Sequence, residues 1–244
     1  MVIQLTKSVK RITRKEIAAI GNSNVPLPTK TYVPYCHDEY LNMVFNKFKG
    51  HDIHIKNANY QLSHDHTRLF WTGNVEGMHH GDFITMIGGR NSYDKSAAAS
   101  IALGAMVVVC SNMSLFADLI LQHKHTLNVK QQMEALVEQA ADDIHEKDKR
   151  QLKFFNVLKK TTLNGNHKDI LLDAVEERII NSTDLKIVRE QYRSPQHLSF
   201  KKGTAWALYN AFTSAMKRGF RHQPIVTAAR SIKLNDVFIK HIGG

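Results

Sequence analysis

The sequence predicts an α+β fold, with an antiparallel β-meander in the N-terminal half and a helical C-terminal half. Three observations carry this. Between residues 51 and 87, short runs alternate apolar with polar residues, the period of half-buried strands, and polar or Gly-containing breaks separate them. From Asn128 the period lengthens: Val129, Met133, Leu136, Val137, Ala140 and Ile144 fall on one helical stripe, with Glu134, Glu138, Asp142 and Asp143 mainly outside it. The 244 residues, 43% hydrophobic and 23% charged, suffice for a core in one large domain or two small ones.

Taken in order, residues 1–36 read as a basic, proline-containing arm laid on the domain or left as a tail. Lys7, Lys10, Arg11, Arg14 and Lys15 precede the first acid, Glu16, and Pro26, Pro28 and Pro34 force extended backbone. Asp38 to Phe48 is a helix with Tyr40, Leu41, Val44, Phe45 and Phe48 on one face, closed at Gly50. Alternation begins at His51-Asp52-Ile53-His54-Ile55 and continues through Tyr60 and Leu62. His64 to Thr67 is a turn, Arg68 to Val75 a second strand, Gly77 to Gly81 a break and Asp82 to Ile87 a third strand. Gly88-Gly89 opens a polar turn through Ser96, and Ser100 to Val109 is a buried strand or helix ending in Val107-Val108-Val109. A sheet-rich region thus spans 37–126 and a helical region 127–244, packed as one composite domain. Its helices run from Asn128 to about Lys160, from Ile170 to Ile180, from Asp184 to Tyr192, from Thr204 to Arg218 and from Pro224 to about Lys233.

Lys plus Arg number 33 against 22 acids, a net charge of +11, which suits a polyanion such as DNA. The start of the chain lacks a signal-peptide core, and Ile101 to Cys110 is too short for a membrane span, so a soluble, intracellular protein without a membrane partner is expected. Cys36 and Cys110 are far apart and no CxxC occurs, which argues against a thiolate zinc site. No cofactor motif appears: Gly88-Gly89-Arg90-Asn91 matches neither GxxxxGK[ST] nor GxGxxG. No nucleophile elbow is present either.

Two constellations remain. Histidines are dense between 37 and 80; His64 and His66, if on a strand, would face one side about 7 Å apart, and His79, His80 or Asp82 would complete a weak metal-ligand set. The cleaner signal is electrostatic. From Lys201 to Lys240 eight bases face the single acid Asp236. With Arg90 and Lys95 flanking the Gly-led turn, the expected phosphate contacts are Arg90, Lys95, Lys201, Lys202, Lys217, Arg218 and Arg221. Trp206, Tyr209, Phe212 and Phe220 would stack bases if exposed, but their helical spacing favours a core.

Asn91-Ser92-Tyr93-Asp94-Lys95-Ser96 and Val108-Val109-Cys110-Ser111-Asn112 resemble a two-part signature, Asn-Ser-His-Asp-Gly-Ser and Arg-x-x-Cys-x-Asn. That signature belongs to the "phage/plasmid-like protein" family, a domain of unknown function numbered nine-three-two. His125-Thr126 resembles the family's Arg-His-Thr. Gly203 to Thr213 resembles its Gly-Thr-x-Trp-x-x-x-Asn-Ala-x-Thr helix through Thr204, Trp206, Asn210 and Thr213. The likeness covers about residues 82–215 and leaves the first 80 unmatched; Tyr93 stands for the family's His and Lys95 for its Gly. It implies phage, prophage or plasmid origin, hence the cytoplasm of a bacterial host, near recombination and antirestriction genes. It supplies no reaction.

These readings converge on a non-enzymatic nucleic-acid-binding protein, a single-strand DNA binding, annealing or recombination accessory that works as a homo-oligomer. The alternatives are an anti-defence protein that binds a host protein or a nucleotide signal, and a metal-dependent nuclease built on the histidines between His64 and Asp82.

Overall fold

The computed structural model describes residues 9–108, 112–222 and 224–243, and their side chains except at 9, 112–120, 218, 220–222, 224, 225 and 228. Cys110 and the side chains of Asn112, Arg218, Phe220 and Arg221 lie outside the described residues, as do residues 1–8 of the basic arm.

Six strands form one antiparallel sheet in sequence order, the expected meander. They are β1 (Val9–Ile12), β2 (Ile55–Ser63), β3 (Arg68–His79), β4 (Phe83–Ser92), β5 (Ala99–Val107) and β6 (Asn112–His123). The register pairs Val9 with Ser63, Tyr60 with Trp71 and Ile55 with Val75. The helices are α1 (Arg14–Ile20), α2 (His37–Gly50), α3 (Val129–Lys160), α4 (His167–Glu176), α5 (Ser182–Arg193), α6 (Ala205–His222) and α7 (Pro224–Ile242). None of the described helices is long and apolar enough to cross a membrane.

The chain divides into two compact units. The first holds residues up to 79, Thr85–Leu103 and Asp118–His145. Here Tyr40, Leu41, Val44 and Phe48 of α2 are fully buried, together with Leu69 and Trp71 of β3 and Ile87 of β4. The Trp71 indole N–H donates to the Tyr40 hydroxyl (3.3 Å), which donates in turn to the Ser100 carbonyl (2.6 Å). Gly88 and Gly89 lie inside β4 rather than in a turn, because this seam leaves no room for a side chain. A Cβ on Gly88 would stand 2.7 Å from the Trp71 carbonyl, and one on Gly89 would stand 2.8 Å from the Trp71 indole nitrogen while meeting Tyr40 and Ser100. The strand therefore runs on to Ser92, and the turn starts at Tyr93.

Two further boundaries differ from expectation in this unit. The arm is not irregular throughout: β1 pairs with β2, and Thr13 and Glu16 form a capping box that starts α1. Arg11 bonds to Asn59 and Arg14 to Asp38 and Asn42, so these arm cations are engaged on the fold. The alternating run His51 to His54 is not strand. The His51 and Ile53 amides fold back on the Phe48 carbonyl, and Asp52 takes φ +58, so the run closes α2 and pairing starts at Ile55.

The second unit comprises His80–Ile84, Gly104–Ala117 and residues from 146 onward. Its core is aromatic: Phe155 meets Trp206 at 5.3 Å, and Tyr209 meets Phe238 at 5.2 Å. Trp206, Tyr209 and Phe212 are at most 2% exposed, each burial stabilising by roughly 1.5–3 kcal/mol. They are core and not a base-stacking platform. Helix α4 stops at Glu176 because Arg178 turns left-handed (φ +57) and the Ile179 amide bonds back to the Ala174 carbonyl. Helix α7 outruns the expected Lys233, since Leu234, Val237 and Phe238 continue its buried face.

Candidate functional site

The signature at the β4–β5 turn lies in the first unit and is held from several elements. Asn91 is fully buried; its amide donates to the Tyr35 carbonyl (2.6 Å) and to His37 Nδ1 (2.8 Å). With Nδ1 accepting, the proton of His37 sits on Nε2, 3.2 Å from the His66 carbonyl. Burial pulls the His37 pKa down to about 3, so the ring is neutral and both its nitrogens are satisfied. Its ring stacks on Tyr93 (4.0 Å, 10°), and its backbone amide donates to the Tyr93 hydroxyl (2.7 Å). Asp94 accepts from the Ser96 amide and pairs with Arg68 (2.8 Å), while the Ser92 hydroxyl closes the turn on Ala97. Asn91, Asp94 and Ser96 thus organise the turn. Lys95 takes φ +60, the region that favours glycine, and its ammonium lies 4.8 Å over the Tyr32 ring.

His125 joins this group. It is buried, its ring lies 5.6 Å from Tyr32, and its carbonyl accepts from Val33. Burial lowers its pKa, and neither ring nitrogen meets a hydrogen-bond partner among the described residues. Arg90 turns toward Gln122 (3.0 Å), and burial lowers its pKa too. The turn can hold neutral imidazoles in fixed orientation. It does not display a row of exposed cations.

The late signature caps and packs α6 in the second unit. The Thr204 hydroxyl donates to the Lys201 carbonyl (2.6 Å) and accepts from the Ala207 amide, the Asn210 amide donates to the Trp206 carbonyl (2.9 Å), and Thr213 donates to the Asn210 carbonyl. The four histidines weighed as ligands do not converge. His64 and His66 sit in the tight β2–β3 turn, where His66 takes φ +57 and faces Asn24; His79 is exposed; and His80 bonds to Asp148 (2.8 Å). Among the described residues no three His, Cys, Asp or Glu side chains are grouped to hold a metal ion.

The C-terminal cations divide. Arg230 bonds to the Ile179 carbonyl and Asp184, Lys233 to the Glu177 carbonyl, and Lys240 to Asp173. These brace α7 against α4 and α5. Lys217 also has an interaction within the fold, whereas Lys201 and Lys202 are exposed.

Lys202 proves to belong to a different constellation, which sequence reading missed. A cavity of about 630 Å³ lies among α4, α5 and the start of α6. On α4, Lys168, Leu171, Leu172 and Val175 follow i, i+3, i+4, i+7 spacing; on α5, Leu185, Arg189, Tyr192 and Arg193 follow i, i+4, i+7, i+8. Each helix thereby turns one face with an apolar and a cationic part to the cavity. Leu171, Leu172, Val175, Leu185 and Leu208 form its apolar lining, and His167 and Tyr192 bring a pair of rings 5.3 Å apart. Lys168, Arg189, Arg193 and Lys202 supply the charge, and no acid is among the described residues that line the cavity. None of these four side chains makes an ion pair or hydrogen bond among the described residues. The signal was present in the sequence as that helical spacing, but a charge count over 201–240 excludes three of the four.

No curated protein and no solved structure matches the chain. One family model, described as "Domain of unknown function (DUF932)", matches residues 50–238. The match extends beyond the 82–215 of the motif resemblance at both ends, taking in β2, β3 and most of α7. With β4, the signature turn, the long helix and the α4–α6 cavity all inside the matched span, the chain is a member of the DUF932 family.

Proposed function

We propose that this chain is a non-enzymatic nucleic-acid-binding protein, of phage or plasmid origin, that holds a DNA strand in support of annealing or recombination. The observation that carries the reading is that Lys168, Arg189, Arg193 and Lys202 line the α4–α6 cavity with no acid among its described lining residues. Cations within a fold normally find carboxylates, as Arg230 and Lys240 do here. Four cations converging without one favour an anion supplied from outside. The two arginines, one helical turn apart on α5, present planar guanidinium forks suited to adjacent phosphates. A net charge of +11 adds long-range attraction for a polyanion.

Anisotropy titrations with labelled single- and double-stranded oligonucleotides over a salt series test this. Tight binding at low salt is expected. The slope of log affinity against log salt should be about −3 for four phosphates on a single strand, at about −0.7 each. Absence of binding at low salt to either form rejects the reading.

A further inference from the structure

The cavity among α4, α5 and α6 is more than a cationic surface, because apolar side chains line it together with the cations. We infer that it takes one nucleotide unit of a single strand, with the base inserted among Leu171, Leu172 and Leu185 and the flanking phosphates on Arg189, Arg193, Lys168 and Lys202. This rests on the nucleic-acid reading above and adds to it the strand state and the mode of contact.

Three features of the molecule argue for it. Phosphate contact alone needs no recess, yet this one measures about 630 Å³, within the roughly 300–1,000 Å³ of small-molecule sites. Two of its apolar side chains are not sealed by the fold: Leu172 is 56% and Val175 40% exposed. Two apolar residues beside free cations match a ligand with a flat, poorly hydrated body and an anionic edge. The rings of His167 and Tyr192 stand at the same cavity, tilted by 42°, and offer a face or edge for a base to pack on. A base paired in a duplex cannot enter such a recess without leaving its stack, so the unit comes from a single strand. The buried Trp206, Tyr209 and Phe212 take no part.

The test compares labelled oligo-dT of eight nucleotides with an abasic strand of the same length and phosphate count, against the full chain at low salt. A third probe, oligo-U, separates DNA from RNA as the source of the unit. The base-bearing strand is expected to bind at least about tenfold tighter than the abasic one, a difference of about 1.4 kcal/mol. Leu172→Gln, at a cavity-lining position 56% exposed, should lower base-bearing affinity more than abasic affinity and so narrow that gap several-fold. Equal affinity for the two strands overturns the inserted base and leaves strand binding standing. Binding of neither overturns both, and a tighter oligo-U assigns the unit to RNA.

Discussion

At the scale of single residues, the signature turn shows how positions with functional character become structural. Lys95 stands at φ +60, where L side chains crowd their own backbone and glycine does not. The resemblance places glycine at this position in the family, and the backbone supplies the reason. Lys95→Gly is therefore expected to raise stability by about 0.5–1 kcal/mol, as read from a urea midpoint. Gly89 has the opposite constraint: in Gly89→Ala the new methyl group meets Trp71, Tyr40 and Ser100, with an expected loss of about 1–3 kcal/mol. His37 makes stability depend on pH. Its folded pKa of about 3 lies below the unfolded value near 6.5, so the unfolded chain takes up a proton that the folded one refuses. Its contribution is complete above about pH 6.5 and is lost as the pH falls toward about 3; burial moves His125 in the same direction. Urea midpoints measured between about pH 7 and 4 should fall with acid. His37→Gln should reduce that slope, by up to about 1.4 kcal/mol per pH unit for the one proton removed.

At the scale of elements, helix α5 carries two of the four cavity cations and depends on its cap. Asn181 accepts from the Asp184 amide (2.8 Å), and Asp184 returns the contact to the Asn181 amide while also binding Arg230. Asn181→Ala should cost about 1 kcal/mol in a thermal melt. Element identity was legible in the sequence, and α2, α3 and α6 fall within a few residues of their expected limits. The failures cluster where tertiary contacts override local pattern. Gly88-Gly89 reads locally as a turn, yet it continues β4 because Trp71 and Tyr40 require bare backbone there. His51 to Ile55 alternates like a strand, yet its first half closes a helix.

At the scale of the whole molecule, the question is whether net charge or local arrangement governs binding. Arg189→Glu with Arg193→Glu removes two positive and adds two negative charges, taking +11 to +7. Lys49→Glu with Lys124→Glu makes the same change on exposed side chains in the first unit. If the cavity cations bind the strand, the first pair should weaken single-strand affinity at least tenfold, and the second, on side chains that do not line the cavity, should stay within about threefold at physiological salt, where exposed charges are screened over about 8 Å. Equal losses would assign binding to net charge alone.

The sequence by itself determined the α+β plan, the order and kind of most elements, the family, and the excess of positive charge. These properties are local or additive along the chain. Only the tertiary structure decided which cations are engaged by carboxylates and which are not. Arg230 finds Asp184 across 46 residues and Lys240 finds Asp173 across 67, while Lys168, Arg189, Arg193 and Lys202 converge from separate elements without a carboxylate among them. Pairing between side chains that distant depends on how helices pack, and a charge count along the chain carries none of that geometry.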